Sequence, residues 1–185
     1  MNNRVKVNTD GINIYVSLLV KSNKKGQIAM SIIILILLFI LGAMINETND
    51  DNLKDYVFPI TIFAILIIVF PVRYLIWNLY GKEHLIINTK SISHNFDYGI
   101  YQTNLKTIKH DKLASGFELV RKEGEVEKGN LVFYDYRKED NLPIQIYQTS
   151  VLLDKEKVNM IDAEIRQIYE DEFNEKYDFI GFSPN

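Results

Sequence analysis

An uninterrupted apolar run at residues 28–45, IAMSIIILILLFILGAMI, constrains this chain more than any other feature, because Ser31 is its one polar side chain. Together with Gly26 and Gln27 it reaches the length that an α-helix needs to cross the hydrocarbon of a bilayer. A second run, VFPITIFAILIIVFPV at residues 57–72, continues through Tyr74 to Trp77. The two runs predict a transmembrane hairpin at residues 26–80, with helices at 26–45 and 57–77 and an acidic outer loop at 46–56.

Two other kinds of segment produce apolar runs, and both fit this chain poorly. Two core helices of this length in a protein of 185 residues would leave too little polar chain to surround them. A cleaved signal peptide starts earlier, is shorter and is not followed by a second run. A transporter or channel formed by this chain alone is also disfavoured, because neither run contains an ionisable side chain before Arg73.

Basic residues flank the two runs unequally, which predicts the orientation of the hairpin. They precede the first helix and follow the second, whereas the connecting loop has only Lys54. The positive-inside rule therefore places both termini in the cytoplasm. Five of these side chains are also candidates for binding anionic lipid headgroups, although their role in setting topology is the simpler explanation: Lys21, Lys24, Lys25, Arg73 and Lys82.

The polar parts of the chain read as an antiparallel β structure followed by one helix. Alternating apolar residues predict a strand at 11–21, with Ile12, Ile14, Val16 and Leu18 on one face. Further strands are predicted at 83–88, 90–96, 105–110, 117–121, 130–137 and 143–149, with turns at 97–99, 114–116, 124, 128–130 and 139–143. Helical spacing of four apolar residues predicts an amphipathic helix at 154–174 that packs on the sheet: Val158, Ile161, Ile165 and Ile168.

The stretch WNLYGKEHLIINTKSIS at residues 77–93 resembles the junction in small bacterial inner-membrane proteins that carry a two-helix hairpin and a pleckstrin-homology-like (PH-like) domain. Trp77, Gly81 and Glu83 match the W-x-x-x-G-[KR]-E pattern of that membrane-interface junction. The likeness extends weakly over residues 5–172. It implies an α+β membrane protein with an antiparallel sheet or barrel, closed by one C-terminal helix, at the cytoplasmic face of a bacterial inner membrane.

The resemblance and the apolar runs together predict four segments. These are an N-terminal cytoplasmic segment at 1–25, the hairpin, a PH-like domain at 81–174 and a tail at 175–185. If the strand at 11–21 joins the sheet that follows the hairpin, the hairpin is an insertion between two strands of one domain. Pro71 is expected to kink the second helix, whereas Pro59 is expected in its first turn.

Several function classes are disfavoured by composition and motifs. There is no cysteine, and His84, His94 and His110 do not have metal-site spacing, so no metal or other cofactor is predicted. No nucleotide-binding or hydrolase motif occurs, and an enzyme would need a site built from residues such as Glu83, His84 or Asp135. The acidic balance of residues 81–185, with 14 basic and 19 acidic side chains, argues against nucleic acid and against a strongly basic phosphoinositide pocket.

Three hypotheses for the function follow. The first is a non-enzymatic interaction or regulatory module that meets a membrane or cytoplasmic protein at the bilayer surface. The second is a protein that senses or handles lipid headgroups. The third is an immunity or assembly factor for a membrane partner, which the sequence does not separate from the first. The oligomeric state is not predicted.

Overall fold

The computed structural model describes residues 5–20, 24–46, 53–137 and 142–178, with the backbone alone at 53–55, 68 and 171–178. The chain forms two compact units. We call the first the β unit; it consists of Met1–Leu19, Lys82–Asp97 and Tyr101–Asn185. We call the second the helical unit; it consists of Val20–Gly81 and Tyr98–Ile100.

The helical unit contains two helices that are long and apolar enough to cross a membrane. The first, α1, is Lys24–Asn46, with 23 residues and a mean hydropathy of 3.1. The second spans Tyr56–Tyr80, with a mean hydropathy of 2.3. It is made of α2 (Leu53–Ile67), a π-helical segment (Ile68–Val72) and α3 (Arg73–Tyr80). The predicted helices thus occur with extended ends, and much of the predicted loop at 46–56 lies outside the described residues.

The two prolines of the second helix have different settings. Pro59 lies inside α2 rather than in its first turn, because the helix already begins at Leu53. Pro71 lies in the π-helical segment. Proline has no N–H and its ring collides with the carbonyl four residues earlier, so a wider turn is a usual way to accommodate it. The π-helical segment thus lies where a kink is predicted, and the kink itself stays a prediction.

Five strands of the β unit form one antiparallel sheet in the order β1-β2-β3-β4-β5. The N-terminal strand does join the strands that follow the helices: β2 pairs with β3 from Ile14 opposite Ile87 to Leu19 opposite Lys82. The hairpin of helices is therefore inserted between two neighbouring strands. The strands are β1 (Val5–Thr9), β2 (Ile14–Leu19), β3 (Lys82–Ile87), β4 (Ser91–Asp97) and β5 (Lys106–Lys109).

The second sheet is built around one long strand, β7. It pairs along its length with β6, while its other edge pairs with β8 and, further on, with β9. The strands are β6 (Leu113–Glu123), β7 (Val126–Tyr136), β8 (Pro143–Gln148) and β9 (Leu153–Asp154). The turns predicted at 114–116 and 128–130 are wrong, because these residues lie inside β6 and β7.

A closed barrel is also wrong for the part of the chain that the structure describes, since its strands form two separate sheets. β5 pairs with β4 and β6 pairs with β7, with no ladder between β5 and β6 among the described residues. In the connection from β5 to β6, the backbone N–H groups of Asp111 (3.1 Å) and Lys112 (2.9 Å) donate to the Asp135 carboxylate. A side chain therefore binds the donors that a neighbouring strand would otherwise satisfy.

The core of the β unit combines the alternating faces of the strands with one stripe of the last helix, α4 (Lys155–Asp178). The stripe predicted for this helix is confirmed, because Val158, Ile161, Ile165 and Ile168 are all buried. In β2 the predicted face is confirmed for Ile14, Val16 and Leu18, whereas Ile12 precedes the strand and is 71% exposed. The end of the predicted tail, residues 179–185, lies outside the described residues.

Candidate functional site

A groove on the second helix collects one cationic and several aromatic side chains in the helical unit. It has a volume of about 290 Å³. Residues three and four apart lie on one face of a helix. Most of the residues that line the groove therefore come from a single face of the second helix. We call it the Arg73 groove; it is lined by Val69, Phe70, Arg73, Tyr74, Trp77 and Tyr98.

Tyr98 holds the Arg73 side chain in this groove. Arg73 Nη2 donates to the Tyr98 hydroxyl oxygen at 3.0 Å, and its guanidinium carbon lies 5.1 Å from the centroid of the Tyr98 ring. The ring of Trp77 lies 5.0 Å from that of Tyr98, centroid to centroid. A hydrogen bond and cation–π attraction therefore act on the same guanidinium, which restricts its position while it stays exposed.

The depth of Arg73 along the helical pair follows from one contact. The Gln27 side chain in α1 donates to the Asn78 carbonyl oxygen in α3 at 3.3 Å, so these two positions are level. Arg73 precedes Asn78 by five residues, which is about 7 Å along an α-helix. The backbone of Arg73 therefore lies about 7 Å from the level of Gln27 and Asn78, toward the middle of the helices.

The other headgroup candidates that the structure describes do not line the Arg73 groove. Lys24 and Lys25 are exposed at the beginning of α1. Lys82 belongs to the β unit, where its Nζ lies 4.0 Å from the Asp97 carboxylate. Lys21 lies outside the described residues. Of the four candidates that the structure describes, Arg73 is the one that lines the groove.

Trp77 and Gly81 of the predicted junction meet at the end of α3. The Gly81 N–H donates to the Trp77 carbonyl oxygen at 2.9 Å. Gly81 has a φ of −57°, so it is not required for a left-handed turn. Instead, a Cβ at this position would lie 2.6 Å from the Trp77 ring, and glycine is needed because there is no space for a side chain.

Glu83, the third residue of the junction, is completely buried in the β unit. Its carboxylate accepts the Tyr147 hydroxyl at 2.7 Å and the backbone N–H groups of Ser150 (2.8 Å) and Val151 (3.2 Å). A strand of the first sheet is thereby bonded to β8 of the second sheet and to the loop after it. We call Glu83, Tyr147, Ser150 and Val151 the Glu83 cluster.

Burial dominates the electrostatics of this cluster. It raises the pKa of Glu83 to about 7, because removing the charged carboxylate from water outweighs the three hydrogen bonds that favour the charge. Burial and the neighbouring Glu83 also raise the pKa of Tyr147, so its hydroxyl stays protonated and acts as a donor. The ring of His94 lies 4.3 Å from that of Tyr147, and burial lowers the pKa of His94.

The residues considered for catalysis have separate partners. Glu83 belongs to its cluster, Asp135 binds two backbone N–H groups, and His84 Nε2 lies 3.8 Å from the Asp97 carboxylate. Among the described residues, no group of three or more His, Asp or Glu side chains could hold a metal ion. The hydrogen bonds of Glu83 indicate a structural role as a buried hydrogen-bond acceptor rather than a catalytic one.

Two tyrosines of these sites were missed by sequence reasoning. Tyr98 and Tyr147 are not among the predicted site residues, because nothing in their local pattern indicates a charged partner. Tyr98 bonds a residue 25 positions earlier, and Tyr147 bonds one 64 positions earlier. Local periodicity carries no information on such pairs.

The likeness of residues 77–93 to the PH-like membrane proteins is carried by three positions that have different settings. Trp77 and Gly81 belong to the helical unit and Glu83 to the β unit. The likeness stays a prediction, because no protein-family model and no curated protein matches the chain.

Proposed function

We propose that this protein is a non-enzymatic, membrane-anchored interaction module. Its helical hairpin crosses the cytoplasmic membrane of a bacterium, both termini lie on the cytoplasmic side, and the PH-like β unit binds another protein there. Two antiparallel sheets closed by one C-terminal helix are compatible with a PH-like module.

The observation that carries this proposal is the insertion of the two apolar helices between β2 and β3. β3 begins directly after Gly81, whose carbonyl oxygen accepts the N–H of Val20 at 2.9 Å. Both connections to the helices are therefore short and held together by a backbone hydrogen bond. The chain thus enters and leaves the helical hairpin through a few residues rather than through a long flexible linker.

The helices support a membrane location by their exposed apolar surface. In α1 only Ile34 is buried, and 6% of the most apolar part of the second helix is buried. A core helix of a soluble protein would bury its apolar residues, whereas a helix that is apolar on all sides and still exposed is typical of a lipid environment.

A surface for a protein partner is offered by the far end of the β6–β7 hairpin, residues 118–128, which we call the hairpin arm. Leu119, Val120 and Val126 in this arm are each about half exposed. The same arm carries ion pairs, of Arg121 with Glu123 at 2.7 Å and of Lys122 with Glu127 at 2.8 Å. Apolar side chains surrounded by charged ones are typical of a protein contact rather than of a lipid contact.

The sidedness of the proposed membrane arrangement can be tested by cysteine labelling, because the chain has no cysteine of its own. In spheroplasts, we expect a membrane-impermeant maleimide to label Asp50→Cys, which lies between the two apolar runs of the sequence. Glu125→Cys, at the turn of the hairpin arm, should react only after lysis. The opposite pattern, or equal labelling of both variants in intact spheroplasts, would contradict the arrangement.

The protein contact can be tested by photo-crosslinking in intact membranes. A photoreactive amino acid at Val120 is expected to give one discrete adduct of higher mass, and the same amino acid at Asn159, exposed on α4, is the matched control. Val126→Glu should weaken the adduct about tenfold, because it places an unpaired charge in the apolar contact. The same adducts from both positions, or no loss with Val126→Glu, would argue against a contact through the hairpin arm.

A further inference from the structure

We propose that the Arg73 groove binds one anionic phospholipid, with Arg73 on the phosphate and the aromatic side chains against the upper part of an acyl chain. This inference rests on the membrane location proposed above. It goes beyond the protein contact, because the groove lies in the helical unit and the hairpin arm lies in the β unit.

The chemistry of the groove matches the two parts of a phospholipid. A guanidinium presents paired N–H groups that fit the oxygens of a phosphate, and its planar fork makes arginine better suited to this than lysine. The other five lining residues are apolar or aromatic. A ligand with one anionic end and one hydrocarbon end is therefore complementary to both parts of the lining.

Tyr98 contributes by positioning the cation. Its hydroxyl bonds the Arg73 guanidinium and its ring lies beneath it, so less side-chain freedom remains to be lost when a phosphate binds. Trp77 packs against Tyr98 and belongs to the same lining. An arginine that only set the topology would have no need of an aromatic partner that fixes its position.

The position of the groove along the apolar helix favours a lipid as its ligand. Arg73 starts about 7 Å from the polar level of Gln27 and Asn78, on a helix that is apolar and long enough to cross a bilayer. A long cationic side chain at this depth extends toward the headgroup layer while its stem stays among apolar groups. Phe70 and Tyr74, 66% and 55% exposed, line the groove before and after Arg73 along the helix.

The volume indicates how much of the lipid is bound. About 290 Å³ lies at the small end of the range for ligand pockets, which is roughly 300–1,000 Å³. The groove therefore holds part of a lipid, namely the phosphate region and the first section of one chain, while the remainder stays in the bilayer.

Trp77 provides the test, because it is the one tryptophan of the chain and lines the groove. The full chain is reconstituted in phosphatidylcholine vesicles that contain either dibrominated phosphatidylglycerol or dibrominated phosphatidylcholine, whose bromine atoms quench tryptophan fluorescence on contact. We expect the anionic lipid to quench Trp77 at about one fifth of the mole fraction that the neutral lipid requires. Arg73→Gln should remove this fivefold preference, and Tyr98→Phe, which keeps the ring, should reduce it to about twofold.

Lys24→Gln is the matched control, since it removes an exposed cation of the helical unit that does not line the groove. It should keep the preference within a factor of two of the wild-type value. Equal quenching by the two brominated lipids in the wild type, or an unchanged preference in Arg73→Gln, would overturn the lipid site and leave the membrane location standing. Absence of quenching by either lipid would overturn both.

Discussion

Replacing Glu83 by alanine is expected to lower the free energy of unfolding by about 3–5 kcal/mol. The substitution leaves the Tyr147 hydroxyl and the Val151 N–H buried without their acceptor, removes the acceptor of the more exposed Ser150 N–H, and opens a cavity between the two sheets. Each unsatisfied buried donor costs about 1–3 kcal/mol. The measurement is chemical denaturation of the full chain in detergent at pH 5, where the Glu83 carboxyl is protonated, monitored by the circular dichroism of its β-sheets.

Two further substitutions make this result specific. Glu83→Gln keeps the volume and one acceptor oxygen, so about half of the loss is expected. Glu125→Gln, at the exposed turn of the hairpin arm, makes the same chemical change at the surface and should shift the free energy of unfolding by less than about 0.5 kcal/mol. A Glu83→Ala protein within about 1 kcal/mol of the wild type would contradict a structural role for the cluster.

The same carboxyl group predicts a dependence of stability on pH. The pKa of Glu83 is about 7 in the folded protein, against an ordinary value of 4.5. The folded state therefore binds the proton more tightly, so the stabilisation is complete below pH 4.5 and is lost as the pH rises through 7. Integrated over this shift, the wild type should lose about 3 kcal/mol relative to Glu83→Gln between pH 4.5 and 8.

Comparison with Glu83→Gln isolates this effect from that of His94 and His110. Burial lowers the pKa of both His94 and His110, so their contribution has the opposite sign and stability is lost as the pH falls through their folded pKa. Because both proteins contain these histidines, their contribution cancels in the difference. A difference that is constant across this pH range would show that Glu83 does not titrate there.

A second large effect is expected in β2, the strand that precedes the helices. Leu18→Ala should lower the free energy of unfolding by about 2–5 kcal/mol, because Leu18 is fully buried in the β unit. Leu19→Ala changes the same kind of side chain one residue later, on the opposite face, where Leu19 is 37% exposed. Its expected loss is below about 1 kcal/mol, measured by the same denaturation.

Removal of the whole N-terminal segment tests the insertion more severely. Deleting residues 1–25 takes away both β1 and β2 and leaves β3 as a sheet edge with an unpaired row of backbone groups. We expect the β-sheet signal of residues 81–185 to be lost. If residues 81–185 fold unchanged by themselves, β2 is a dispensable addition to the sheet.

The wrongly predicted turns in the β6–β7 hairpin show where residue type misleads. Gly116 and Gly129 belong to these predicted turns, yet each lies inside a strand. A Cβ on Gly129 would collide with the Glu118 carbonyl oxygen and lie 2.8 Å from the Phe117 ring, whereas one on Gly116 would make an ordinary contact of 3.4 Å with the Tyr134 ring. Glycine in a strand marks the close approach of another group, which becomes visible only when the partner strand is in place.

The first hairpin of the β unit was missed for a different reason. β1 has only five residues, and its connection to β2 depends on Asp10, whose carboxylate accepts the N–H groups of Ile12 (3.0 Å) and Asn13 (2.6 Å). Gly11 follows with a φ of 87°. The Asp-Gly pair is a turn signal that sequence reasoning could have used to separate β1 from β2.

The long helices and the buried face of α4 could be predicted from the amino-acid sequence, because both depend on local periodicity. The two apolar runs gave the positions of the long helices, and apolar residues at helical spacing gave the buried face of α4. Both follow from the short-range geometry of a helix, in which residues three and four apart share a face.

Which polar groups form hydrogen bonds with each other became known only from the folded structure. It placed Glu83, which the junction pattern would set near the membrane, among donors 64 to 68 residues away, and it brought Tyr98 to Arg73. Both the burial of the Glu83 carboxyl and the orientation of the Arg73 guanidinium by the Tyr98 ring depend on the packing of segments that are distant in the sequence. Side-chain spacing along the chain does not encode such packing, so both sites became visible only once the strands and helices were assembled.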